Sequence, residues 1–162
     1  MFEDIIVPFS EERLTSHVQR YPCSCIPSAI EIILKQLGKV DSDYYELQDY
    51  WRNKCDGSFH DFEGKVLYGL TFKHLFGRER GPNFPLDALF RTISDELAQQ
   101  RFVVVSLSAP GGGWHMFVIH SQIGAEFVAA AKTDSANWIV SNVKSQVRQM
   151  GGTDILVYTI KP

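Results

Sequence analysis

The stretch V-Q-R-Y-P-C-S-C-I-P-S-A-I-E-I-I-L-K-Q-L-G, residues 18–38, decides how the rest of the chain is read. Ile26, Ile30, Ile33 and Leu37 fall on one stripe at helical spacing, with Leu34 beside it, so the spacing predicts a helix over 25–37. Gly38 follows directly as a stop. Pro27 suits the first helical turn, where a missing N–H costs nothing. Cys25 therefore stands at a helix N-terminus, and Cys23 lies just before it. The thiolate is the nucleophilic form of cysteine, and free backbone N–H groups with their partial positive charge favour that anion. The position predicts a lowered pKa for Cys25 and a smaller effect on Cys23.

On the N-terminal side, the first 18 residues read as an extended arm with a strand-like D-I-I-V-P-F at 4–9. On the C-terminal side, a second helix is predicted over 43–53 after Ser42 as cap. Residues 55–85 carry no clear period, and V-L-Y-G-L-T-F-K-H-L-F reads as a short helix broken near Gly69. Residues 84–100 form a helix whose apolar face is Leu86, Leu89, Phe90, Ile93 and Leu97, with Pro85 in its first turn. The period then changes. R-F-V-V-V-S-L-S at 101–108 is a buried strand, A-P-G-G-G at 109–113 a flexible loop, and W-H-M-F-V-I-H-S-Q at 114–122 a second strand. I-G-A is a turn into a third strand, E-F-V-A-A-A-K at 126–132, paired with the second as a hairpin. A loop at 134–138, a helix over 139–150 and a final strand at 154–160 complete the chain. Helices first and an antiparallel sheet afterwards is an α+β arrangement.

An activated thiol needs a base. Of the five histidines, His115 is singled out because it opens a strand directly after a glycine-rich loop, held by the strand yet reachable from the loop. Asp134 comes just after the next hairpin strand, so the returning chain brings it near the start of His115's strand, where it can fix the imidazole tautomer. Gln19 precedes Cys25 and, with the Cys25 backbone N–H, supplies an oxyanion hole. The plainer readings are a packed cysteine at a helix start, a satisfied strand histidine, and core or groove-lining roles for Trp51, Phe72, Phe76, Phe84 and Phe90. Cys23 and Cys55 are either partners or buried thiols, and the C-x-C spacing lacks the usual spacer of a zinc site.

The chain of 162 residues is long enough for one domain with a proper core, and its 44% hydrophobic and 22% charged residues are ordinary for a globular protein. A net charge of −3 gives no reason to expect a nucleic-acid partner, and the one arginine knot, F-G-R-E-R-G at 76–81, reads as a solvated loop. No apolar run is long enough to cross a bilayer, and the acidic N-terminus lacks a secretion-signal layout. Three cysteines are too few for a disulfide framework, so a reducing cytoplasmic compartment is the default expectation, with signal-independent export left open.

The order of these groups resembles papain-like cysteine peptidases. It is most similar to the branch that includes the leader peptidases of bacteriocin exporters, which cut after double-glycine leaders. That branch carries a glutamine, then a cysteine followed by Gly-Pro-Ala-Ala or similar, then an apolar helix ending in glycine. Here Gln19, Cys25, Pro27, Ala29 and Gly38 fall in register. The branch's later G-H-[FY]-V-V-V strand and Asp-Pro loop resemble W-H-M-F-V-I-H and D-S-A-N-W. The resemblance implies a papain-like α+β fold over 1–162, with Cys25 as nucleophile, His115 as general base, Asp134 as its orienter and Gln19 in the oxyanion hole. It also implies hydrolysis of a peptide or protein substrate through a thioester, with no cofactor and no metal. The same parts would serve a deamidase, a transglutaminase, or a peptidoglycan amidase, as in a bacterial effector or toxin, and a relative that binds peptide without cutting remains an alternative. Ile26 stands where the family usually has glycine, Trp114 replaces the glycine before the histidine, and Asp134 is followed by Ser135. Cys23-Ser24 echoes the C-S-G of cell-wall endopeptidases and makes Cys23 a rival nucleophile, though the helix register favours Cys25. A groove lined from 59–72 is the expected substrate selector.

Overall fold

A computed structural model describes residues 3–109 and 112–160. The elements run in chain order β1 (Ile5–Ile6), α1 (Glu11–Thr15), α2 (Cys25–Gln36), α3 (Glu46–Trp51), a 3-10 turn (Phe59–Phe62), β2 (Val66–Leu67), β3 (Leu70–Leu75), α4 (Leu86–Ala98), β4 (Val103–Ser108), β5 (Trp114–Ile123), β6 (Glu126–Thr133), β7 (Ala136–Val140), α5 (Val143–Met150) and β8 (Ile155–Ile160). The eight described strands form one sheet in the order β2-β3-β8-β4-β5-β6-β7, with β1 added against β5, and each of these pairings is antiparallel. The class is α+β.

Side chains alternate across a strand, which sorts the helices into layers. Val118 pairs with Ala130 and shares its face, while Phe127, Ala129 and Ala131 point the other way. The Phe127 face receives α4 and α5: Phe90 packs on Phe127 at 6.3 Å between ring centroids, and the Lys144 ammonium lies over both rings. The opposite face, that of Met116 and Val118, receives α2. This helix is buried along almost its whole length, from Ile26 to Lys35, rather than along one stripe. It is therefore a central helix, covered on its outer side by α1 and α3.

Several elements differ from expectation. Residues 66–75 form a hairpin, not a broken helix, because Tyr68 and Gly69 both take positive φ (51° and 84°) and turn the chain back on itself. The expected loop at 134–138 is largely strand β7: Asp134, at φ 51°, makes a tight hairpin after β6, and Ala136 already pairs with Thr133. That strand takes Ile139 and Val140 from the predicted last helix, which starts only at Val143. The N-terminal arm contains α1, capped by the Ser10 hydroxyl accepting from the Arg13 N–H. The second helix is shorter than 43–53, spanning only α3. The glycine-rich loop at 109–113 lies partly outside the described residues.

Candidate functional site

Cys25 is the first residue of α2 and is half-buried. Its sulfur lies against the backbone N–H groups of Cys25, Ile26 and Met116. The first two belong to the open N-terminus of the helix, and the third to β5, next to His115. The thiol opens on a cleft of about 380 Å³ whose walls include Ile26, Trp51, Phe59, Ser106, Trp114 and Met116. Burial pushes the thiol above its ordinary value, and the three N–H groups pull it down without offsetting that. The helix terminus thus does not produce the lowered pKa expected from sequence, because removal from water costs the anion more than the N–H groups return.

His115 is the second residue of β5, and its Nε2 donates to the Lys132 carbonyl at 3.0 Å. That bond fixes the tautomer: Nε2 holds the proton and Nδ1 carries the lone pair. The ring stacks on Trp138 at 5.0 Å and meets Phe117 edge-on at 5.3 Å, on the sheet face that also carries α5. Burial lowers its pKa, and the Lys132 carbonyl opposes this. Thiol and imidazole approach the same short piece of β5 from its two faces, and they form no hydrogen bond with each other.

The other two expected residues reach this neighbourhood but not the expected roles. The Gln19 backbone N–H donates to the Asp134 carbonyl at 2.9 Å, which ties the segment before α2 to the β6–β7 turn. The Asp134 side chain is exposed and makes no bond to His115; the Lys132 carbonyl stands where a carboxylate was expected, because the tight turn projects residue 134 outward. The side-chain amide of Gln19 donates to the carbonyls of Tyr21 (3.1 Å) and Pro22 (3.4 Å). No N–H of that amide is left to point at an oxyanion, and its Oε1 is buried without a partner among the described residues. The donors that remain near the sulfur are the backbone N–H groups of Cys25, Ile26 and Met116.

Two supports hold the cysteine loop. Cys23 and Cys55 are joined in a disulfide, with Cα atoms 5.0 Å apart, so Cys25 is the free thiol and Cys23 is withdrawn as its rival. The indole of Trp51 donates to the Cys23 carbonyl at 3.0 Å. Beneath the loop, Gln48 is fully buried. Its Oε1 accepts from the Arg20 N–H (2.7 Å) and the Ser24 hydroxyl (2.8 Å), while its Nε2 donates to the Val18 carbonyl and to Glu31. Glu31 also accepts the Leu47 and Gln48 N–H groups. Burial raises its carboxyl to about 7, against the pull of Gln48 and Lys35. Alongside, the Lys35 ammonium bonds Nδ1 of His17 at 2.8 Å, and His17 Nε2 meets the Ser28 hydroxyl at 3.0 Å. Desolvation, with the Lys35 and Lys132 charges, drives that imidazole to about 3. This histidine–hydroxyl contact is sealed from solvent and belongs to a structural network.

Sequence reasoning missed the Met116 N–H, the Lys132 carbonyl and Trp138. The first two are backbone atoms that any residue supplies, so no residue type could have announced them. Trp138 was visible only as part of a supposed loop. Of the 59–72 segment expected to line a groove, Phe59 reaches the cleft, whereas Phe62, Leu70 and Phe72 enter the core. Among the described residues, no group of histidine, cysteine or acidic side chains is arranged to hold a metal ion, and no helix is long and apolar enough to cross a membrane. Searches find no match to this chain among family models, curated proteins or solved structures.

Proposed function

We propose that the chain is a thiol hydrolase of papain-like layout that cleaves an amide bond through a thioester on Cys25. One observation carries this reading: the only free cysteine among the described residues sits at the mouth of the central helix, open to a cleft, with its sulfur against the strand position adjoining His115. The lone pair on Nδ1 makes His115 the acceptor for the thiol proton. In the structure the two groups lie on opposite faces of β5, so the proposed proton transfer requires the start of β5 to rearrange and carry the imidazole to the cleft side. Sulfur then adds to the carbonyl carbon, its proton passes to Nδ1, and the backbone N–H groups at the helix mouth take up the oxyanion. Collapse breaks the C–N bond, and the imidazolium returns the proton to the leaving amine. Water attacks the thioester and regenerates the thiol, releasing the acid.

Incubation with activated acyl esters and a fluorogenic peptide library, followed by intact mass analysis, tests this. A transient acyl adduct on Cys25 is expected, absent in Cys25→Ala, with turnover lost in His115→Ala. Adducts spread over surface lysines, or turnover surviving in Cys25→Ala, would overturn it. A second reading, a peptide-binding relative that does not cut, draws on the missing thiol–imidazole bond and the occupied Gln19 amide. It requires saturable peptide binding with no adduct.

A further inference from the structure

We infer that the cleft beside Cys25 recognises a carboxylate, and that Arg80 is the residue that reads it. This deepens the hydrolase reading by naming a substrate class and rests on that reading for the identity of the attacked bond. Arg80 comes from the arginine knot expected to be a solvated loop; it is exposed, as expected, and lines the same cleft as Cys25. Its guanidinium lies over the indole of Trp114, 4.2 Å from the ring centroid, and its Nε donates to the Gly152 carbonyl at 3.1 Å. These two contacts hold the plane of the group. Its terminal nitrogens carry no hydrogen bond to any described residue, so the paired donors of the fork stay available.

The other charged side chains on the cleft wall already have hydrogen-bond partners. Asp154 is bonded to His74 Nε2 at 2.7 Å, and Lys54 is paired with Asp61 at 3.4 Å. Among the described charged residues of the wall, Arg80 is the one whose charge-bearing terminal nitrogens have no hydrogen-bond partner. A planar, stacked fork with its donors free is complementary to a planar carboxylate, which it can grip by two parallel bonds. Position fits the chemistry as well. Trp114 precedes His115, and Met116, whose N–H meets the sulfur, comes after it. A rise of two residues of strand, about 7 Å of backbone, separates Trp114 under Arg80 from Met116 beside the sulfur, a spacing comparable to the reach of an acidic side chain. The ligand class is a peptide with an acidic residue beside the attacked bond. A terminal α-carboxylate shares the chemistry, and the test separates the two.

Three chloroacetyl probes alkylate Cys25: chloroacetyl-glutamic acid α-amide, chloroacetyl-glutamine α-amide, and chloroacetyl-glutamine with a free α-carboxylate. The first is expected to label Cys25 about 5- to 10-fold faster than the second, the size of effect a partly exposed charge-assisted pair gives. The preference should fall to near one in Arg80→Gln and survive in part in Arg80→Lys, with labelling by the neutral probe unchanged throughout. Faster labelling by the third probe instead of the first would keep Arg80 as the reader but make the ligand a terminal carboxylate. Equal rates for all three, or a preference that survives in Arg80→Gln, would overturn the inference. If no probe labels Cys25 faster than the same thiol in unfolded protein, the hydrolase reading fails. The carboxylate site is then judged on Cys25→Ala protein by NMR titration of the Trp114 indole. Acetyl-glutamic acid α-amide should shift that signal, acetyl-glutamine α-amide should not, and Arg80→Gln should abolish the shift; no shift overturns the site.

Discussion

Removing the Cys23–Cys55 disulfide perturbs the wall of the cleft without touching Cys25. The two cysteines are 32 residues apart in sequence. Closing a loop of that length removes enough conformational freedom from the unfolded chain to be worth about 4 kcal/mol at 25 °C in the chain-entropy treatment. For a chain of this size each kcal/mol moves Tm by about 2 to 4 °C, so reduction should lower Tm by on the order of 10 °C. The assay is thermal unfolding of wild type and of Cys23→Ser/Cys55→Ser, each with and without reductant, together with a thiol count on denatured, unreduced protein. One titratable thiol is expected in wild type, with a Tm that drops on reduction to that of the double variant. The variant itself should not respond to reductant. Because the loop carrying Lys54, Gly57 and Ser58 is tied down only through Cys55 and the neighbouring Trp51 and Asp61 contacts, reduction should also speed alkylation of Cys25 by opening its cleft. Three titratable thiols and a Tm indifferent to reductant would refute the pairing and return the chain to the reduced state its cysteine count suggested.

Alkylation of Cys25 by iodoacetamide in native protein should be slow near neutral pH and rise only on the alkaline side, because burial raises the thiol; a plateau at mildly acidic pH would mean an ion pair with an imidazolium. The network under the cysteine loop has its own pH signature. Glu31, raised from 4.5 to about 7, contributes stability that is complete below 4.5 and lost as pH rises through 7. His17, lowered from 6.5 to about 3, contributes stability that is present above 6.5 and lost as pH falls toward 3. Between 4.5 and 6.5 the two slopes oppose each other, so Glu31→Gln should make Tm climb with pH more steeply than in wild type over that window. Parallel curves would show that Glu31 is not protonated on folding.

The parts of this fold that were legible in the sequence are those fixed by apolar periodicity. The apolar run of α2, the stripe of α4 and the β4–β5–β6 ribbon are written in Ile, Leu, Val and Phe, at helical spacing in the helices and in alternating or continuous runs in the strands. The parts that were not legible depend on one backbone torsion. Tyr68 and Asp134 hold φ near 51° with no glycine at their own positions, and each sends the chain back into a paired strand. The site divides in the same way. Cys25 and His115 were readable from where their elements begin, and their convergence on one strand results from packing α2 against β5. The orienting group was not readable. A side chain was sought at residue 134, whereas the strand offers the carbonyl of Lys132, whose own ammonium is engaged by Thr15, Ser135 and Asn137.

The charge state of the pair decides where the proposed reaction does its work. Burial raises the thiol of Cys25 and lowers the imidazole of His115, and both shifts favour the uncharged forms. A resting thiolate–imidazolium pair would have to overcome both desolvation costs at once. The groups available to offset them are three backbone N–H donors on one side and one carbonyl on the other. The proton must therefore leave sulfur as the C–S bond forms, when the negative charge passes on to the carbonyl oxygen and the same N–H donors can follow it there. In the proposed reaction, charge separation then belongs to the transition state and not to the resting protein. On that basis His115→Ala should lower kcat and leave KM little changed, since the imidazole contributes nothing to ground-state binding. Arg80→Gln should do the reverse, because its guanidinium grips a part of the substrate whose charge is the same before and after attack.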